Sequence, residues 1–333
     1  MNGARRADFS SAPTLLPTGS DYMKAVDFDM DCKNSGKRKI RVHAENFVSA
    51  AELVSYCKGR QCVSGMENND FFNGRTPDRK GWYDFKSSED LIGLVENGVS
   101  NTEVIKDAIR YARTAQVKDE EKLTRRVMDV VGGGVDVPAY LTGIPTCMYG
   151  LKRQKVKSRI VKLCIYCKAL SHIDVSEYKK AGELIAKTVA KLEKAGYRIR
   201  LLAMDAYEDR NWQSRTEPKY GNRHGIWIVT HMIKRENEPM NYRRVLFPLT
   251  RMAYHRGLGF GWMAVNGAPE IRGLGGSIEG VVTDDDERDA MFARACGSDD
   301  YIILSQTDVI GYIQRYGEEQ AQKMVDAKVM SLE

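Results

Sequence analysis

The chain has 333 residues, of which 42% are hydrophobic and 29% charged, a composition that fits a folded chain with a sizeable core and excludes a wholly disordered one. At roughly 100–200 residues per domain this length accommodates two domains. No apolar run approaches the ~20 residues of a membrane span, and the opening MNGARRADFSSAPTLLPTGS has no apolar stretch of the secretory kind, so neither a membrane partner nor export is expected.

The net charge of +6 is too small by itself to mark a nucleic-acid binder, but its distribution is uneven. Residues 151–200 hold 14 Lys/Arg against 4 Asp/Glu, and residues 281–333 hold 5 against 12. The basic middle suits phosphate or an acidic partner, or it is neutralised across the fold by the acidic end. The seven cysteines, an odd number in a chain of this size, read as reduced thiols. Cys164 and Cys167 form the one CxxC. They lie in an apolar strand where side chains three apart diverge, so core packing is expected rather than zinc.

In chain order, residues 1–45 read as a flexible N-terminal arm with at most one short strand, carrying a basic run at Lys33–Arg41. Residues 46–150 read as a helical region. FVSAAELVSYC is capped by Ser49, FKSSEDLIGLVENG is capped by Ser87 or Ser88 and stopped at Gly98, and NTEVIKDAIRYART is capped by Asn101 or Thr102. A third helix is expected from Lys118 to Val130. In VVGGGVDVPAYLTGIPTCMYG, Asp136 caps a short helix with Pro138 in its first turn, and the three glycines read as a hinge or turn. A phosphate loop is not supported, because no GxxxxGK[ST] exists and no strand-forming run precedes the glycines.

From residue 151 to 333 the pattern is α/β. A strand in 156–170, an amphipathic helix from Val175 capped by Asp174 or Ser176, and a strand over 198–207 form a right-handed β-α-β unit. HGIWIVTHMIKR follows without a crossover helix and so runs antiparallel, at the edge of the sheet. MNYRRVLFPLTRMAYHRG reads as one helix kinked at Pro248, with Val245, Leu246, Leu249 and Met252 inward. A Gly-rich and then acidic stretch (TDDDERD) precedes a strand at 301–305, and helices over Asp308–Tyr316 and Glu318–Met330 end the chain.

This order of elements resembles the von Willebrand factor A-like fold, a Rossmann-like, mostly parallel sheet with one antiparallel edge strand. The W-x-D-F-x-S-x-E-x-x-x-x-L-x-x-x-G pattern at Trp82–Gly98, with GGGVDVPAYLTGIPTCM at 132–148, resembles a family of uncharacterised phage and prophage proteins. The resemblance covers most of the chain beyond residue 45 and implies a phage origin, a place in the host cytoplasm with virion association also open, and no assigned activity. Metal-binding members of the fold carry D-x-S-x-S after the first strand. Here the stretch is Lys168-Ala169-Leu170-Ser171-His172, and an ammonium in place of a carboxylate opposes a hard cation, so no metal is expected.

Ser171, His172, Asp174 and Asp205 fall at the carboxyl ends of strands, where open α/β sheets bind ligands, and they are the ligand-binding candidates. Helix capping is the plainer role for Ser171 and Asp174. No GxSxG elbow accompanies them, and the catalytic residues stay unassigned. Asp205, Glu208 and the carboxylates at 284–287 could gather magnesium if they converge, although a solvated loop explains the latter as well. His224 and His231 are seven apart on one strand and face opposite ways. A basic surface is expected from Lys152, Arg153, Lys155, Arg244, Arg251 and Arg256, with His255 on the helical face shared by Arg244 and Arg251. The resulting expectation is a non-catalytic interaction or assembly module without a cofactor, binding protein or nucleic acid. A magnesium-dependent enzyme acting on phosphate-containing substrates is the alternative.

Overall fold

The computed structural model describes residues 24–32, 38–62, 71–73, 80–115, 123–154, 160–209, 224–266, 278 and 281–330. Its centre is a six-stranded sheet in the order β1-β2-β8-β7-β6-β9. β6 (Ile160–Tyr166), β7 (Arg198–Asp209) and β9 (Ile302–Ser305) are parallel, and β8 (His224–Lys234) is antiparallel to β7. The antiparallel strand is not the edge. β2 (Arg38–Phe47) pairs parallel to its outer side, and β1 (Lys24–Cys32) pairs antiparallel to β2. The stretch read as an arm therefore supplies two strands. Ile40, Val42 and Ala44 are fully buried and alternate with Arg41 and His43, the period of two of a strand with one covered face. Lys33–Lys37 of the basic run lie outside the described residues.

Both faces of the sheet are covered, which accounts for the nearly continuous apolar runs of β6 and β7. One face packs Leu163, Ile165, Leu201, Ala203 and Val229 against the helices α1 (Ala50–Cys57), α3 (Ser88–Asn97), α6 (Val175–Lys194) and α7 (Tyr242–Thr250). The other packs Cys164, Tyr166, Met204 and Ile228 against α9 (Asp285–Ala295). Cys164 and Cys167 thus diverge into separate cores. α6 begins at a capping box in which Asp174 and Glu177 satisfy each other's backbone N–H groups, and Gly196 takes the chain out at φ 94°. The remaining helices are α2 (Lys80–Tyr83), α4 (Thr102–Ala112), α5 (Val137–Leu141), α8 (Phe260–Asn266), α10 (Gln306–Tyr316) and α11 (Glu318–Met330).

Three expectations change. Residues 123–129 form not a helix but β3 (Leu123–Asp129), in a small sheet ordered β3-β5-β4 with β5 (Met148–Gln154) and β4 (Gly134–Val135). Leu123 and Val127 are four apart, a spacing that satisfies both helical and strand periods, and pairing with β5 decides between them. The helix expected over 240–257 is broken rather than kinked. α7 contains Pro248 and stops at Arg251, which is extended, and a π-helical turn follows at Tyr254–Gly259 before α8. The acidic stretch is the first turn of α9, capped by Asp284, where carboxylates complement the helix dipole.

Candidate functional site

The carboxyl end of β6 and the neighbouring length of β7 meet the π-helical turn in a fully buried polar cluster. Asp205 sits at its centre. One carboxylate oxygen accepts from the Ala206 N–H at 2.9 Å, and the other accepts from the Tyr207 hydroxyl and from His255 Nδ1, the latter at 2.5 Å. The carboxylate accepts from three directions, so Nδ1 carries the proton in this pair. Tyr207 and His255 stack with centroids 5.9 Å apart, and burial beside Asp205 pushes the Tyr207 phenol well above its ordinary range. The packing depends on Gly259, where a Cβ would strike both Tyr207 and Asp205.

Two buried cations flank this cluster. Lys168 is fully buried at the end of β6 and donates to the Ala206 carbonyl at 3.4 Å, with its ammonium 6.0 Å from the Tyr207 ring centroid. Arg256 is 1% exposed. Its guanidinium donates to the carbonyls of Trp82 (2.8 Å), Leu170 (3.0 Å) and Ile173 (3.3 Å) and lies 4.1 Å from the Trp82 ring centroid. Burial lowers its pKa to about 10, so it stays a cation near neutrality. Arg256 therefore staples the loop after β6 to both α2 and the π-helical turn.

The Trp82–Gly98 pattern acquires a physical explanation from this arrangement. Trp82 supplies a carbonyl and a ring to Arg256, and Asp84 accepts from Arg251 through its carboxylate and its carbonyl, both at 2.7 Å. Ser87 caps α3, and Gly98 ends it at φ 68° where a Cβ would overlap the Arg243 carbonyl.

A model of a domain of unknown function, DUF7192, matches residues 31–325. The chain belongs to this family. Comparisons with the curated proteins and with the solved structures gave no match. The DUF7192 match takes in the whole of the cluster around Asp205, together with Trp82, Lys168 and Arg256.

Within this DUF7192 domain the residues singled out by sequence scatter. Ser171 and His172 are exposed in a turn, and Asp174 is exposed as the cap of α6. Asp205 is fully buried and faces the helices of the first core, whereas Asp284–Glu287 begin α9 on the opposite face, so these carboxylates do not converge. Arg244 is exposed, Arg251 is held by Asp84, and Arg256 is removed from the expected basic surface by burial. The break at Arg251 separates Arg244 from Arg251 and His255, so they share no helical face. Lys152 and Arg153 lie in β5, and Lys155 falls outside the described residues. Tyr207 and Trp82 were not singled out as functional. Trp82 lies within the W-x-D-F stretch that begins at residue 82, whereas Tyr207 carries no sequence signal beyond its place two residues after Asp205 on a strand.

Chemically, an Asp–His pair is acid–base machinery when the free imidazole nitrogen faces a reactant. Here Nε2 of His255 is buried without a hydrogen-bond partner, and Asp205, Tyr207 and His255 are closed from solvent. Two clefts among the described residues, of about 710 Å³ beside Arg200, Glu236 and Tyr301 and about 480 Å³ beside Asp84 and Arg251, are not lined by these three side chains. The cluster clamps the π-helical turn to β7.

A second buried histidine makes the fold sensitive to acid. His231 Nδ1 and the Tyr254 hydroxyl share a hydrogen bond at 3.3 Å, and burial lowers the His231 pKa from 6.5 to about 3. The unfolded chain binds a proton there that the folded chain refuses. The stability is therefore present above pH 6.5 and is lost as pH falls toward the folded value near 3. Denaturant titrations at a series of pH values should show a loss of about 2 kcal/mol between about pH 7 and about pH 5. The loss should flatten in His231→Gln; an unchanged slope in that variant would assign the acid sensitivity elsewhere.

Proposed function

We propose that this DUF7192 protein is a non-catalytic interaction module of phage origin, built on a von Willebrand A-like topology and binding protein or nucleic acid without a metal. The order β8-β7-β6-β9 with β8 antiparallel supports the topology, with β1 and β2 as additions outside it. One observation carries the metal-free reading. Lys168 stands where the first carboxylate of a metal motif would be, and its ammonium is buried against the Ala206 carbonyl. The residues present do not fit a divalent cation, which needs several oxygen ligands. Among the described residues no three His, Cys, Asp or Glu side chains gather to hold one.

The test is thermal unfolding of the whole chain with magnesium, manganese or a chelator, alongside binding to single- and double-stranded DNA and RNA at two salt concentrations. The melting temperature should not move with metal, and any nucleic-acid binding should weaken with salt but not with chelator. A cation bound to the fold at a hundredfold excess over its Kd would stabilise it by about 2.7 kcal/mol, and a shift of that order would overturn the reading. Magnesium-dependent cleavage of the nucleic acid would replace it with the enzyme alternative.

A further inference from the structure

The small sheet β3-β5-β4, with α5, is a projection that spends its apolar side chains outward. Of the described residues from 128 to 150 only Cys147 is buried. Eight of the twelve large hydrophobic residues exposed among the described residues lie between Met128 and Ile144, with Val131 80%, Leu141 77% and Tyr140 64% exposed. An apolar concentration of this kind marks an interaction surface rather than ordinary exposed side chains. The projection is also firmly built. A Cβ at Gly132 would strike the Tyr149 backbone and one at Gly134 the Tyr149 ring, so the glycine run, expected to be a hinge or turn, is packed against β5 at both of its ends. Asp136 caps α5 through the Ala139 N–H at 3.2 Å.

Charge is graded along the same projection. Residues 122–159 hold eight Lys/Arg against two Asp, a surplus of six that equals the net charge of the whole chain. The four of them within the described strands, Arg125 and Arg126 in β3 and Lys152 and Arg153 in β5, stand at register positions away from the apolar turn. In the β3–β5 register Asp129 is opposite Met148 at the apolar end, and Arg125 is opposite Lys152 nearer the base. Like charges directly opposite destabilise a strand pair, and an anionic partner relieves that cost. At about 3.4 Å per residue the basic pair stands roughly 14 Å from the apolar end.

We propose that this projection docks on an anionic lipid bilayer, with the Val130–Ile144 turn entering the acyl boundary and the Arg125 and Lys152 level meeting the headgroups. Interfacial insertion reaches ~5–10 Å, which leaves the basic level at the charged surface. Nucleic acid would engage the basic end but leave most of the apolar end in water. The projection of a second copy would bring the same positive charge. This inference is independent of the reading of the Lys168 site, which speaks only to metal. The absence of a long apolar helix among the described residues concerns spanning alone.

The test is flotation of the full chain with vesicles of phosphatidylcholine alone and of phosphatidylcholine mixed with phosphatidylglycerol. The protein should float with the mixed vesicles only. A Tyr140→Asp, Leu141→Asp double variant should lower the partition coefficient at least about tenfold, the factor that one buried leucine supplies. Met330→Asp, at an exposed apolar residue far along the chain, should leave partitioning unchanged, and both variants should keep the wild-type melting temperature. Failure to float with mixed vesicles, or equal flotation of the double variant, overturns the proposal. DNA binding that is salt-sensitive and indifferent to the double variant, without flotation, assigns the basic end to nucleic acid instead. A dimer in sedimentation velocity that the double variant abolishes assigns the apolar end to a second copy.

Discussion

Asp205→Ala is expected to destabilise the fold by roughly 2–6 kcal/mol, because it leaves two buried donors without an acceptor at about 1–3 kcal/mol each. The carboxylate is the shared acceptor for the Tyr207 hydroxyl, the His255 imidazole and the Ala206 amide, all in a site without solvent. Alanine leaves the first two donors with nothing to accept from them. Tyr207→Phe removes a single donor and should cost about 1 kcal/mol, since the carboxylate keeps its other partners. Urea denaturation of the three proteins measures both values from their midpoints. Hydrogen exchange adds a local signature, because loss of the clamp should speed exchange first in the π-helical turn Tyr254–Gly259. A loss below that of Tyr207→Phe would show that Asp205 is not the centre of the cluster.

Gly182→Ala should be at least as damaging, although the same change on an exposed helix gains about 1 kcal/mol. Gly182 lies in α6 where the helix crosses α7, and a Cβ there would overlap the Leu249 carbonyl. That carbonyl cannot simply withdraw. It accepts from Gln306 Nε2 at 2.6 Å, and the adjacent Pro248 carbonyl accepts from the Tyr178 hydroxyl at 2.8 Å. Separating the helices would break both bonds and open the first core. The expected loss is more than about 3 kcal/mol, above the ordinary range for an added methyl because the clash is with backbone. Gly311→Ala provides the control. It lies in α10 with open space where its Cβ would be, and it should be neutral or stabilising by up to about 1 kcal/mol. Equal stability of Gly182→Ala and wild type would mean that α6 and α7 pack farther apart than the Gly182–Leu249 contact requires.

The elements legible in sequence were those with several concordant local signals. α6 has a capping box, a 3.6-residue apolar stripe and a glycine stop, and β6 and β7 flank it with runs apolar enough for burial on both faces. The antiparallel direction of β8 followed from a sequence without helical period between the two strands. What could not be read was set by distant partners. β1 (KAVDFDMDC) carries as many charges as a loop and becomes a strand because β2 lies beside it. β3 is a strand because β5 pairs with it. The site was lost for a related reason. Arg244, Arg251 and His255 share a continuous helical numbering that a helical wheel places on one wet face, with Arg256 beside them in the expected basic surface. The chain leaves the helix at Arg251, and the π-helical turn that follows re-aims His255 and Arg256 into the core. A wheel drawn through a break loses its phase, and the sequence marks this break only by Pro248 three residues earlier.

The placement of β1 and β2 outside β8 has a consequence for how the protein is made. Asn46 and its hydrogen-bond partner Thr230 are 184 residues apart. When the first two strands leave the ribosome, the strand that completes their sheet has not been synthesised. At about 5–20 residues per second the hairpin waits roughly 10–40 s for β8. Throughout that interval the β2 edge that later pairs with β8 is a free template for another chain. Charged residues alternate along both strands (Asp27, Asp29 and Asp31 against Lys39, Arg41 and His43), the gatekeeper placement that discourages pairing with another chain until the sheet can close.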